Sequence, residues 1–177
     1  MTETLVATKL NLGCGKSKMD GFTGVDISPD CGADIVHDLN VMPWPFEADS
    51  IEEVHASHFF EHLDGPQRCR FMDELWRVLK PEGKATIITP YWASSRAIQD
   101  PTHAWPPVCE SSYLYFNKKW REDNGLDHYP IHCDFDFSYG YQIDQPWSLR
   151  STEARDFAVR HYLHVASDLH VVLTKRA

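Results

Sequence analysis

The chain has 177 residues, 42% of them hydrophobic, which is enough for one domain with its own buried core. Its formal charge of −9 at pH 7 repels nucleic-acid phosphates, and no segment concentrates lysine and arginine against that field. The five cysteines form no C-x-x-C pair, and no apolar run approaches the ~20 residues that cross a bilayer. We therefore expect a single domain over residues 1–177, located in the cytoplasm, without a membrane partner and with nucleic acid disfavoured, though not excluded, as an acceptor.

Short β-rich runs alternate with turns through the first half of the chain, which predicts an α/β fold with parallel strands joined by crossovers. The strands expected in this half are 8–12, 22–27, 34–37, 53–57 and 84–89. Before the last of these, apolar side chains at helical spacing from Phe71 to Leu79 predict the clearest helix. Pro81 and Gly83 are expected to end it.

Aromatic residues crowd into the segment 91–147, which holds 13 of the chain's 22 Phe, Trp and Tyr residues. This share indicates an insertion after the fifth strand. The periodicity predicts a short helix over 111–122, a strand over 132–143, a helix over 152–166 and a final strand over 168–175.

The strongest local signal is an apolar strand that runs directly into a glycine loop. Leu12, Gly13, Cys14 and Gly15 place two glycines one residue apart at the strand end. Missing Cβ atoms allow a tight turn and a close backbone approach, and the free N–H groups suit an anion such as a pyrophosphate or an amino-acid carboxylate. An ordinary strand-to-loop turn explains this fragment equally well when it is taken alone.

Two aspartates favour a nucleoside ligand. Asp26, followed by Ile27, ends the second strand, and Asp38, followed by Leu39, comes just after the third. A carboxylate at the first position can accept hydrogen bonds from both ribose hydroxyls. The second can meet an adenine amino group while the leucine packs on the ring. Because parallel strands end at the same sheet edge, the two aspartates and the glycine loop outline one site.

A dinucleotide site fits less well. The pattern G-x-G-x-x-G would need glycine where Lys18 stands, and Asp26 comes only eleven residues after Gly15 instead of about twenty. A nicotinamide-dependent oxidoreductase is therefore the weaker alternative.

The run from Leu10 to Pro90 resembles the class I S-adenosylmethionine-dependent methyltransferases, within their type 11-like, small-molecule group. The motifs that carry the resemblance are Leu12–Gly15, Gly24–Ile27, Asp38–Leu39, Trp44–Ser50, Ala56–Leu63 and Leu79–Gly83. The family implies a Rossmann-like sheet that is mostly parallel with an antiparallel last strand. It also implies S-adenosyl-L-methionine as cofactor and methyl transfer as the reaction.

The resemblance assigns roles to residues at matching positions. The implied cofactor contacts are Leu12, Gly13, Cys14, Gly15, Asp26, Ile27, Asp38, Leu39, Ser57 and His58. The glycine loop would hold the methionine end, Asp26 the ribose, and Asp38 with Leu39 the adenine. Ser57 and His58 would form the rim beside the sulfonium.

The chain departs from the family pattern at the glycine loop. Asn11 replaces an acidic residue, and Ser17 stands where a third glycine is common. The first crossover is also cut to roughly the length of one helical turn.

The segment His58 to His62 also matches the zinc-protease pattern H-x-x-E-H, in which Glu61 would be the base. Two histidines at this spacing on a helix can bind zinc. The sequence shows no third ligand, and the methyltransferase pattern accounts for the same segment, so we expect no metal.

The candidate catalytic residues lie just past the fifth strand, where His103 can take a proton near neutral pH and Asp100 can orient it. The insertion 91–147 is the candidate substrate cap. DNA amino-methyltransferases carry Asn or Asp, Pro, Pro, Tyr or Phe after the fourth strand, whereas this chain has Ser57 to Phe60. We therefore expect a small-molecule or protein acceptor. A non-catalytic S-adenosylmethionine-binding scaffold is the main alternative.

Overall fold

A seven-stranded sheet forms the centre of the computed structural model, which describes residues 7–176. The strands are β1 Lys9–Leu12, β2 Thr23–Asp26, β3 Ile35–Val36, β4 Ile51–Ser57, β5 Leu79–Pro90, β6 Phe135–Ile143 and β7 Ala166–Lys175. They lie in the order β3-β2-β1-β4-β5-β7-β6. The last strand, β7, is antiparallel to both neighbours, and strands β1 to β5 pair in parallel. The predicted Rossmann-like sheet is thereby confirmed.

Within residues 7–176, four α-helices accompany the sheet. They are α1 Gly65–Val78, α2 Arg96–Gln99, α3 Lys118–Asp123 and α4 Thr152–His161. Short 3-10 turns lie at Pro29–Cys31, Phe60–His62, Glu110–Phe116 and Trp147–Leu149. Within residues 7–176, every helix is too short or too polar to span a bilayer.

The helix α1 begins at a capping box and packs its apolar face on the sheet. The Asp64 carboxylate accepts a hydrogen bond from the Gln67 N–H at 2.8 Å, and the Gln67 side chain accepts one from the Asp64 N–H at the same distance. Phe71, Met72 and Leu75 are completely or almost completely buried against the strands. This crossover connects β4 to β5 and fixes their parallel pairing.

Several element boundaries differ from the sequence expectation. The helix α1 ends at Val78, so Pro81 and Gly83 lie within β5 instead of stopping the helix. A Cβ at Gly83 would lie 2.8 Å from the Lys80 carbonyl oxygen, which explains the glycine there. The helix α4 ends at His161, five residues earlier than expected.

The expected helix over 111–122 is divided in two at Asn117. This residue has an extended backbone, and its side chain accepts a hydrogen bond from the Trp120 N–H at 2.9 Å, so it caps α3. A 3-10 turn precedes it.

The aromatic segment 91–147 is joined closely to the main sheet. Its last part contains β6, which begins at Phe135, three residues later than expected, and pairs with β7 along its whole length. Tyr113 and Phe116 are buried in the central core, where the Tyr113 ring stacks on Phe60 with centroids 6.0 Å apart. Residues 135–143 of this segment therefore belong to the main sheet.

The short crossover between β1 and β2 contains no helix in the described chain, and Asn11 holds it in place. The Asn11 amide is 3% exposed, accepts a hydrogen bond from the Met19 N–H at 3.0 Å and donates to the His55 carbonyl at 3.4 Å. Asn11 therefore fixes the loop that follows the glycines.

One buried cation, the Arg68 guanidinium on α1, joins the turn after β4 to the loop after β5. It donates hydrogen bonds to the carbonyls of Glu61 and Ala104 at 3.4 Å and of Pro106 at 2.7 Å. Its positive charge also lies over the Phe60 ring. Burial lowers the pKa of Arg68 from its usual value, but the neighbouring groups hold it as a cation.

We expect Arg68→Met to destabilise the fold by about 3 kcal/mol or more, because each buried carbonyl left without a donor costs roughly 1–3 kcal/mol. Urea unfolding followed by circular dichroism measures the change. Arg70→Met is the matched control, since Arg70 lies on the same helix but is exposed. Equal midpoints for the two variants would contradict the structural role of Arg68.

Candidate functional site

The carboxyl ends of β1 to β4 surround a cleft of about 260 Å³. In open parallel sheets this edge is where ligands bind. The cleft is lined by Gly13, Asp26, Ile27, His37, Asp38, Leu39, Asn40, His58 and Phe59. Six of these residues are among the predicted cofactor contacts.

Only glycine fits at position 13 of the loop after β1. Gly13 has a φ of +60°, and a Cβ there would lie 2.6 Å from the Phe59 ring. Gly15 also has a positive φ, +49°, with open space around it. The loop is therefore narrow beside Phe59 and open at Gly15, so a ligand can approach its backbone closely.

The Asp26 carboxylate closes the glycine loop onto the end of β2. One oxygen accepts a hydrogen bond from the Gly15 N–H at 2.8 Å and the other accepts one from the Ser28 N–H at 2.9 Å. Each carboxylate oxygen has further acceptor capacity, which is what two ribose hydroxyls need. Asp26 therefore keeps free acceptor capacity at the edge of the sheet, and its binding of a ribose stays a prediction.

The far end of the cleft combines a carboxylate with apolar side chains. Asp38 accepts a hydrogen bond from the Asn40 N–H at 2.9 Å. Leu39 is buried, whereas Ile27 is 65% exposed and lines the cleft. A flat apolar ring placed here would cover Ile27 and lie within reach of Asp38.

Four of the predicted cofactor contacts do not line the cleft. Leu12 is completely buried, and burial raises the pKa of the Cys14 thiol to about 11. The Gly15 N–H is bound to Asp26, and Ser57 is the last residue of β4.

The sequence reasoning also left out three residues of the lining: His37, Asn40 and Phe59. Each of them is the direct sequence neighbour of a predicted contact. That neighbourhood is the only feature of the sequence that could have identified them.

A second cleft of about 210 Å³ adjoins the first, and His58 lines both. Its lining residues are His58, Glu61, His62, Pro90, Arg96, Gln99, Asp100 and His103. His58 has a φ of +54°, and its Nδ1 lies 3.3 Å from Glu61 Oε1. The hydrogen bond that His58 donates to the Glu61 carboxylate raises the pKa of His58 above its usual value.

The predicted catalytic pair, Asp100 and His103, lies in this second cleft with its contacts arranged differently from the expectation. His103 Nδ1 donates to the Ala97 carbonyl at 3.1 Å, whereas the closest Asp100 oxygen is 3.8 Å from Nε2. Asp100 accepts hydrogen bonds from the Thr102 N–H and hydroxyl, which lower its pKa. Ala97, and not Asp100, therefore orients the His103 ring.

The structure also supplies a third group beside the H-x-x-E-H segment, which the sequence did not show. His103, 42 residues after Glu61, comes close to both Glu61 and His62. Only the fold brings these residues together.

A larger cavity, about 670 Å³, lies elsewhere, between the start of the aromatic segment, β6 and α4. It is lined by Tyr91, Trp92, Glu110, Tyr139, Gly140, Tyr141, Asp156, Val159 and Arg160. None of these residues lines either of the two smaller clefts. The two smaller clefts, in contrast, share His58.

Known proteins share both the local motifs and the whole fold. Residues 10–87 match the family model described as methyltransferase domain. No curated protein matches the chain in sequence.

Solved structures of methyltransferases superpose on nearly the whole chain. A SAM-dependent methyltransferase from Archaeoglobus fulgidus is 21% identical with a TM-score of 0.68, over 94% of this chain and 85% of that one. SAM-dependent methyltransferases from Methanosarcina mazei are 15% identical with a TM-score of 0.56, over 95% of this chain and 92% of that one. Phosphoethanolamine N-methyltransferase 2 from Haemonchus contortus, solved with S-adenosyl-L-methionine, is 15% identical with a TM-score of 0.51, over 96% of this chain and 48% of that one.

At these identities the likeness of the structures establishes the fold, which is that of solved S-adenosylmethionine-dependent methyltransferases. The match to the methyltransferase domain model covers residues 10–87, less than half of the chain. The chain therefore has a methyltransferase fold and contains a segment similar to the methyltransferase domain.

Proposed function

We propose that the enzyme transfers the methyl group of S-adenosylmethionine to a small-molecule or protein acceptor that binds in the cleft between His58 and His103. The observation that carries this proposal is that the two clefts share His58. A methyl donor in the first cleft and an acceptor in the second would then meet at that residue.

The cofactor is proposed to lie along the edge of the sheet from β1 to β3. Its methionine end would contact the loop at Gly13, and its ribose hydroxyls would bind Asp26. The adenine would lie over Ile27, with its amino group toward Asp38. The exposed apolar surface of Ile27 and the acceptor capacity of both carboxylates support this orientation.

On the acceptor side, the enzyme has little covalent chemistry to perform. The sulfonium already activates the methyl group, so rate depends on holding the nucleophile in line with the sulfur–carbon bond and on excluding water. An acceptor that arrives protonated also needs a base. His103 is proposed for this role, because its Nδ1–H is bound to the Ala97 carbonyl and its Nε2 therefore carries a lone pair.

The choice of acceptor class rests on charge and on the loop after β5. A net charge of −9 disfavours a polyanionic acceptor. Exposed aromatic side chains on that loop, Trp92 at 49% and Trp105 at 80%, offer apolar surface to an acceptor. We propose that 91–134 is the cap over the acceptor, within one domain that also includes the sheet.

We expect isothermal calorimetry to show S-adenosylhomocysteine binding to the wild type. Asp26→Ala should weaken it by about 1.5–3 kcal/mol, the scale for losing a hydrogen bond to a charged group. Asp20→Ala is the matched control, because Asp20 is an exposed carboxylate on the same loop. Absence of binding by the folded wild type, or equal affinities for the two variants, would contradict the assignment of the cleft.

We expect His103→Ala to bind S-adenosylhomocysteine like the wild type but to slow methyl transfer by roughly 10²–10⁴-fold, the usual contribution of a general base. Methyl-tritiated S-adenosylmethionine, incubated with a cell extract as acceptor pool, measures the transfer. His161→Ala, on α4, serves as control. Unchanged transfer by His103→Ala would remove His103 from the acceptor site, and transfer by no protein at all would favour a non-catalytic binding role.

A further inference from the structure

Three side chains that can bind a metal converge in the cleft beside His58. Glu61, His62 and His103 each offer one ligating atom, and these three atoms lie within 4.8 Å of one another. Glu61 is buried, His103 is half-buried and His62 is exposed. The group is therefore closed on the protein side and open toward solvent.

The Glu61 carboxylate is the buried member of the group, and one of its oxygens has no hydrogen-bond partner among the described residues. Its side chain is only 6% exposed. Oε1 lies 3.3 Å from His58 Nδ1, whereas Oε2 has no hydrogen-bond partner within residues 7–176. A buried carboxylate oxygen without a partner is costly, and a cation bound to it removes that cost.

The hydrogen bonds of His103 leave one ring nitrogen free for a metal. Nδ1 lies 3.1 Å from the Ala97 carbonyl, which can only accept, so Nδ1 carries the proton. Nε2 is then the unprotonated nitrogen. A histidine that donates its other N–H to a carbonyl is the usual arrangement around protein-bound metals.

The Nδ1 atom of His62 is also protonated, because it donates to the Thr102 hydroxyl, which in turn donates to Asp100. The Thr102 hydroxyl donates to Asp100 Oδ1 at 2.7 Å, which uses its only proton. The hydroxyl oxygen, 3.1 Å from His62 Nδ1, therefore accepts from that nitrogen. His62 Nε2 is left with a lone pair, like that of His103.

We propose that Glu61, His62 and His103 form a binding site for a divalent first-row transition metal, with Zn²⁺ as its reference ion. One carboxylate and two imidazoles suit such ions, and three protein ligands leave a coordination position open. The second ligand shell is already in place, since Ala97 and Thr102 fix both histidine rings.

A second group in the chain shows that proximity alone is not enough. Cys14, Asp26 and Cys31 also bring three potential ligand atoms together. Burial, however, raises the pKa of the Cys14 thiol, and neither Asp26 oxygen lacks a hydrogen-bond partner in the way that Glu61 Oε2 does. This group carries no metal proposal.

The function of the metal rests on the proposed methyl transfer, and it changes the role of His103. In the loaded site His103 holds the ion, and the ion lowers the pKa of an acceptor hydroxyl. The hydroxyl proton then leaves to solvent and its oxygen forms a bond to the methyl carbon. The sulfur–carbon bond breaks, and its electron pair stays on sulfur, which gives neutral S-adenosylhomocysteine. The acceptor class implied is a compound with an ionisable hydroxyl.

The test is calorimetric titration of the metal-free chain with ZnCl₂. We expect one tight zinc site per chain in the wild type and in His161→Ala, the control for unspecific binding to surface histidines. Glu61→Gln, His62→Ala and His103→Ala should each weaken that site by at least about 100-fold, since losing a ligand exceeds the 10–100-fold effect of losing an outer-shell partner.

A further pair of variants tests the Thr102 hydroxyl without touching a ligand. Thr102→Val keeps the shape of the side chain but removes the hydroxyl, and should weaken zinc binding by about 10–100-fold. Thr102→Ser retains the hydroxyl and should restore it. A merely structural role of Thr102 would not distinguish valine from serine in this way.

S-adenosylhomocysteine titrations of the same proteins separate the two proposals. Retained nucleoside binding without a tight zinc site, or equal zinc affinity in His103→Ala and His161→Ala, overturns the metal site and leaves the methyltransferase assignment standing. A tight zinc site in a folded chain that binds no S-adenosylhomocysteine overturns the proposed function instead.

Discussion

The second cleft, in which we place the acceptor, depends on the buried guanidinium of Arg68. The turn after β4 carries Glu61 and His62, and the loop after β5 carries His103, yet the two segments share no β-sheet hydrogen bonds there. Arg68 binds carbonyls on both, and the Ala104 N–H adds a bond of 2.9 Å to the Glu61 carbonyl. These backbone contacts fix the loops and leave the side chains of the site free for chemistry.

The first cleft, in which we place the cofactor, is instead positioned by the edge of the parallel sheet. The strands β1, β2 and β3 end together, so the glycine loop, Asp26 and Asp38 meet without any contact between distant loops. The bond from Gly15 to Asp26 then closes the loop onto β2. No helix is needed between β1 and β2 to position this loop, because a hydrogen bond from the Met19 N–H to Asn11 connects the shortened crossover to the sheet.

This difference explains what the sequence could and could not reveal. The first cleft is built from short motifs at strand ends. These motifs follow one another along the chain, so each can be recognised from the sequence. The meeting of His103 with His62 is not, because it depends on how the loop after β5 returns to α1. For the same reason the sequence paired His103 with its neighbour Asp100, whereas the fold gives it Ala97. The alternating aromatics correctly predicted a strand near β6, but its pairing with β7 was not predicted, because β7 comes more than twenty residues later in the chain.

The most direct test of the central claim is a crystal structure of the chain with S-adenosylhomocysteine. We expect the adenine to lie over Ile27, the ribose to bind Asp26 and the sulfur to face His58, at the junction of the two clefts. A ligand seated instead in the larger cavity between Tyr91 and Tyr141 would contradict it.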